Sequence, residues 1–155
     1  MAEKRIVRLD IVEGKPRTFV HDAKLENGLF LEIVGKVANA ELGAEADYEA
    51  YQVQVANADT ERGQLLFHAS VENMYDERLM KQDFELEAGK PGRGYQLVMG
   101  DIVTIPAISS VVVGNKLTLG ADGLLVVGGD MFVVEALEDI VAGDYVQKSM
   151  VVRVL

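Results

Sequence analysis

A cysteine-free chain of 155 residues has the length of one ordinary domain, can bury a core without staples, and excludes disulfides and thiolate metal sites. Asp and Glu outnumber Lys and Arg by 25 to 15, and the resulting formal charge of -10 disfavours sequence-independent binding to nucleic acid. The apolar stretches at 123–129 and 131–134 fall far short of the roughly 20 residues that cross a bilayer, and residues 1–8 hold no apolar run of signal-peptide length, so neither a membrane span nor a signal peptide is expected.

The first seventeen residues set Lys4, Arg5, Arg8, Lys15 and Arg17 against Glu3, Asp10 and Glu13, a mildly basic segment ahead of an acidic body. We take 1–17 as an N-terminal arm or first strand and 18–155 as a single β-rich domain. From Arg5 to Val12 the chain alternates, with Val7, Leu9 and Ile11 on one side, and Gly14-Lys15-Pro16 then breaks it. Asn27-Gly28 favours a tight turn into a second strand at 29–34. The Ala- and Glu-rich stretch 36–47, interrupted by Gly43, reads as a loop. Residues 51–55 alternate cleanly as an antiparallel strand, and 64–71 follow as another. Between Asn73 and Phe84, Met74, Tyr75, Leu79 and Met80 recur near helical spacing, which permits one short helix or an anchored loop. Gly89, Gly92, Gly94 and Pro91 mark a wide turn or an extended surface loop at 86–95.

Beyond this loop the strands become dense, at 95–98, 101–105, 116–119, 124–127, 131–135, 145–147 and 150–155. Gly100-Asp101, Gly114-Asn115 and Gly143-Asp144 each place a turn pair before a β-rich stretch. Short strands at such spacing, with no amphipathic helix between them, predict an all-β fold: a single-domain β-barrel or β-sandwich of short antiparallel strands with little helix. The expected core is Leu29, Leu31, Ile33, Val53, Val55, Leu66, Val103, Leu117, Leu125, Val127, Val133 and Val146. The apolar stretch 105–113 is expected to be buried, although Ile108, Val111 and Val112 would suit cover by another chain.

No chemical constellation stands out. His21 and His68 are the sole imidazoles and fall in different elements, so they are expected to be surface or hydrogen-bonded residues rather than zinc ligands. Asp22 and Ser70 complete the letters of a nucleophilic triad without the context of one. The carboxylate pairs Asp76 and Glu77, Glu85 and Glu87, and Glu138 and Asp139 sit in polar, turn-like sequence where both members stay ionised. The glycines at 89–94 lack the ending of a phosphate-binding loop, and the turns at 120–123 and 128–130 lack the ligands of a calcium site. We therefore expect no catalytic, cofactor-binding or metal-binding residues and no enzymatic activity.

Three segments carry a resemblance: LENGLFLE at 25–32, DFELEAGKPGRGYQLVMGD at 83–101 and GDYV at 143–146. In this order they resemble the decoration, or cement, proteins that coat the capsids of tailed bacteriophages, over most of 25–155. The resemblance implies a structural protein made in the host cytoplasm and carried on the capsid exterior of the virion. Its partners would be the major capsid protein and further copies of itself as a dimer or trimer, with no nucleic acid or membrane. Contacts with the shell or with neighbouring copies would come from Lys4, Arg5 and Arg8 in the arm and from Lys90, Arg93 and Tyr95 in the glycine loop. The alternatives are a tail or baseplate subunit, or a β-barrel that binds a carbohydrate or another small ligand. Sugar stacking is disfavoured by the absence of Trp and an aromatic content of 6%.

Overall fold

The computed structural model describes residues 5–36, 50–70, 85–142 and 145–155. Lys4, the loop beyond Lys36, the 73–84 segment and the Gly143-Asp144 turn lie outside the described residues. In chain order the strands are β1 (Arg8–Ile11), β2 (Lys15–Val20), β3 (Leu25–Glu26), β4 (Phe30–Lys36), β5 (Tyr51–Val55), β6 (Leu65–His68) and β7 (Glu85–Leu86). They continue as β8 (Gly92–Gln96), β9 (Ile102–Pro106), β10 (Lys116–Leu119), β11 (Leu125–Val127), β12 (Phe132–Ala142) and β13 (Tyr145–Val154). Among the described residues, helix is confined to 3₁₀ turns at Arg62–Gln64 and Ala121–Gly123.

The fold is all-β, and it joins a barrel to an open sheet. β2, β5, β4, β6 and β8 close a barrel, β1-β9-β13-β12-β10-β11 form a six-stranded sheet, and β3 pairs with β7. The basic N-terminal segment belongs to both layers, because β1 lines up antiparallel with β9 in the sheet while β2 pairs with β8 in the barrel. Residue 17 therefore falls inside a barrel strand.

Alternation sorts the barrel strands between two cores. Leu31, Val53 and Leu66 fill the barrel with Phe19, and Leu25 and Leu86 of the β3–β7 ribbon pack with them. Phe30 and Phe67, the neighbours of Leu31 and Leu66, instead join Val103, Leu117, Phe132, Val134, Met150 and Val152 in the core between barrel and sheet. Phe30 is the centre of that seam, with its ring centroid 5.1 Å from Phe67 and 5.3 Å from Phe132. Strands buried on both faces read as continuous apolar runs, as at Leu29-Phe30-Leu31 and Leu65-Leu66-Phe67.

One expectation about breaks is corrected. Residues 92–94 are not loop but part of β8, and their glycines make room for the barrel interior. A Cβ on Gly92 would overlap Leu86 and sit 2.7 Å from Phe19 Cζ, and one on Gly94 would sit 3.1 Å from Leu66 Cβ. The expected break is there between β1 and β2, at 12–14, and Pro16 falls just beyond it. Pro16 lies in β2 opposite Tyr95, on a stretch where β5 has not yet joined, since β5 meets β2 only at Phe19 and Val20.

The repeated turn is built the same way at its two described sites. Gly100 and Gly114 have φ of 94° and 92°, a region that favours glycine. The next residue reaches back three positions, so that Asp101 Oδ2 accepts from Val98 N at 2.9 Å and Asn115 Oδ1 from Val112 N at 3.0 Å.

The greatest departure from expectation is the C-terminal hairpin. The separate strands expected at 145–147 and 150–155 are one, β13, which pairs along its whole length with β12 from Phe132↔Val154 to Ala142↔Tyr145 around a bulge between Val134 and Ala136. Core phase also differs. Phe132 and Val134 are buried where Val133 was expected, and Val127 and Val146 are 53% and 51% exposed. The run Met131-Phe132-Val133-Val134 offers an apolar residue to either face, so alternation cannot choose between them. Val134→Ala is expected to cost about 1–3 kcal/mol and Val133→Ala less than about 1 kcal/mol in denaturant melts. Equal losses would contradict this strand phase.

Candidate functional site

The arginines of the arm are committed inside the molecule. Arg5 donates from Nε to Asn27 O at 3.1 Å and from Nη2 to Gly28 O at 3.3 Å, which fastens the N-terminal segment to the Asn27-Gly28 turn. Arg8 donates to Asp10 at 2.6 Å and to Thr104 Oγ1 at 3.0 Å, and it pairs with Glu138 of β12. Burial alone would lower its pKa, but the hydrogen bonds and charges of Asp10 and Glu138 outweigh that and hold it above its ordinary value. Both residues thus act as internal fasteners. Lys90 and Arg93 are exposed, in the turn before β8 and on the strand itself, whereas Tyr95 is half-buried and turned toward the seam between barrel and sheet.

A buried polar network ties two of the resembling segments together. Asn27 donates from Nδ2 to Ser70 O at 3.0 Å and accepts from Ser70 N at 2.9 Å. Ser70 Oγ accepts from Arg93 N at 3.0 Å and lies 2.8 Å from His68 Nε2, while His68 Nδ1 is 2.7 Å from Glu26 O. A carbonyl can only accept, so Nδ1 carries the imidazole proton and the Ser70 hydroxyl donates to Nε2. Burial, with a further contribution from His21, pushes the His68 pKa down to about 4 despite the Glu26 hydrogen bond.

His68 and Ser70 therefore do meet, but Asp22 does not join them. It lies 3.7 Å from His21 Nε2, and His21 bonds locally to Ala23. No cluster of three or more His, Asp or Glu able to hold a metal occurs among the described residues.

Two concave features escaped sequence reasoning because their walls come from distant strands. One is a cavity of about 170 Å³ at the seam, lined by Phe30, Phe67, Tyr95, Met99, Met131 and Phe132 among others. Arg62 lies on its wall and donates to Leu155 O at 2.6 Å and Asp130 O at 3.1 Å. The other, of about 560 Å³, separates residues 107–111 from Leu137, Asp139 and Lys148 of the hairpin.

That hairpin outruns the sheet that carries it. β9 follows β13 only as far as Ser149↔Pro106, and β10 follows β12 only at Leu117↔Phe132 and Lys116↔Val133. Farther out, the two strands form ladders only with each other among the described residues. Leu137, Val141 and Val146 stand 45%, 64% and 51% exposed on this extension. Its base is held by Gln147, whose side chain accepts from Ile6 N at 2.7 Å and donates to Ile6 O at 2.8 Å, in the manner of a neighbouring strand. The extension, buried on its other face at Ile140 and Gln147, thus bears exposed apolar side chains and, among the described residues, a β12 edge without a ladder partner, the chemistry by which one protein docks on another.

A scan against protein-family models finds no match, and a search of the curated proteins finds no similar sequence.

Proposed function

We propose that this protein is a non-enzymatic structural subunit that decorates and stabilises the outer surface of a bacteriophage capsid by binding the major capsid protein. The observation that carries a docking role is the β12–β13 hairpin with Leu137, Val141 and Val146 exposed. Apolar residues exposed together on one hairpin suit burial against a partner. The phage shell as that partner rests on the resemblance of 25–32, 83–101 and 143–146 to decoration proteins, and the exposed Lys90 and Arg93 add cationic contacts within the second of these segments. A subunit that binds the expanded shell and not its precursor stabilises the expanded form by mass action. A tail or baseplate subunit would use the same surface and would differ by its place in the particle.

Purified protein mixed with expanded, undecorated shells is expected to co-sediment saturably with them and not with unexpanded shells. Failure to sediment with either would sink the decoration role.

The seam cavity supports a second reading, a small-ligand-binding module. The barrel interior is filled by Phe19, Leu31, Val53 and Leu66, which leaves the seam as the place for such a ligand. At about 170 Å³ it matches the size of cavities that hold a single apolar ring.

A further inference from the structure

The open edge of β12 presents residues 136–142 without a ladder partner on the side away from β13, among the described residues. Open edges are normally guarded by charge. Here the guard is paired from within the sheet. Glu135 pairs with Arg153, Glu138 with Arg8, and Asp139 with Lys148 at 3.5 Å. Each of these acids has a cation beside it, Arg8 being shared with Asp10, on a chain of net charge -10 whose copies otherwise repel one another. We infer that this edge is an isologous pairing site for a second copy of the same chain, the two β12 strands running antiparallel to make one continuous sheet.

Charge selects the copy and the register. A basic strand from another protein would have to compete with the cations already beside these acids, whereas a second β12 brings an edge of the same length with its acids already paired. Two identical strands related by a twofold axis normal to the sheet place residues of like parity opposite each other. Centred on Glu138 or on Asp139, the pairing sets that carboxylate against its own copy. Centred on Leu137, it sets Glu135 against Asp139. Like charges directly opposite destabilise a sheet. Centred on Ile140, the pairing sets Asp139 against Val141 of the second copy and Glu138 against position 142, so neither acid faces another carboxylate.

The register makes opposite predictions for two substitutions at one exposed residue. Val141 is 64% exposed, so its replacement leaves the fold intact, which thermal melts of the free variants verify. In sedimentation velocity across a concentration series, the unaltered protein is expected to dimerise. Val141→Asp faces Asp139 twice in each dimer and is expected to weaken dimerisation by roughly tenfold or more. Val141→Lys faces the same carboxylates and is expected to hold or tighten it. A monomer at every concentration would overturn the inference, as would equal weakening by both substitutions, which would mark a merely apolar contact. The measurement uses free protein without shells, so loss of shell binding with an intact dimer would count against the decoration reading alone.

Discussion

Asp101→Ala is expected to cost about 3 kcal/mol, because it strips the acceptor from three backbone donors, of which Gly14 N is buried and Glu13 N and Val98 N are partly so. The Asp101 carboxylate is 1% exposed and accepts from Glu13 N at 2.8 Å, Gly14 N at 3.0 Å and Val98 N at 2.9 Å. Residues 12–14 are where the chain leaves β1 in the sheet and enters β2 in the barrel, and Asp101 immediately precedes β9, the ladder partner of β1. One side chain therefore fixes the crossing between layers. Asp101→Asn keeps one carbonyl oxygen but turns its amide hydrogens toward N–H donors, so it is expected to recover little of the loss. Gly14→Ala tests the same crossing from the other side, since a Cβ there would overlap the Gln96 carbonyl, which is backbone and cannot swing away. Urea melts of the three variants measure the effect. A loss below about 1 kcal/mol for Asp101→Ala would show that water takes over these donors.

Acid is expected to weaken the fold through His68 well before most carboxylates protonate. The imidazole is neutral in the native state, with its pKa lowered to about 4, while the unfolded chain binds the proton near the ordinary 6.5. For a base with a lowered folded pKa, the unfolded state binds more protons between those values. Stability is then complete above about pH 6.5, falls as pH drops toward 4, and levels off for this group below that. The full span is worth about 3 kcal/mol, an order-of-magnitude figure from the pKa difference. A protonated His68 would also turn Nε2 into a donor facing the Ser70 hydroxyl, whose oxygen already accepts from Arg93 N. Urea melts at pH 7 and pH 4.5 are expected to separate clearly, and His68→Gln is expected to remove much of the difference. A variant that keeps the whole pH dependence would shift the cause to the carboxylates.

Both effects were invisible at the level of residue type. Asp101 was legible as a turn residue after Gly100, and the turn is there, but the same carboxylate also crosses to residues 13 and 14, with Oδ1 accepting from Glu13 N and Oδ2 from Gly14 N as well as Val98 N. His68 was legible as a hydrogen-bonded histidine; its burial follows from the Phe19 ring, 5.2 Å away and edge-on, and from Ser70 and Glu26 on either side. Of the residues assigned to contacts with a shell or a neighbouring copy, Arg5 and Arg8 proved to be spent on internal acceptors, while Lys90 and Arg93 face solvent. The hairpin that now carries the docking proposal was missed because Gly143-Asp144 and the polar run Gln147-Lys148-Ser149 mimic strand ends. The signal that could have found it was the two-residue Gly143-Asp144 spacer between two β-rich runs, the length of the commonest hairpin connection.

By itself the sequence determined the all-β class, the positions of most strands and the described glycine turns. These follow from side-chain alternation and turn chemistry, which act between residues a few positions apart. Tertiary structure alone decided which face of β12 is buried, why Gly92 and Gly94 are glycines, how the arm's arginines are used and where, among the described residues, β12 runs beyond its neighbour β10. Each of those depends on residues brought together from far along the chain, as Ile6 and Gln147 are across 141 positions. Such contacts are set by the packing of whole layers and leave no periodic trace in either segment alone.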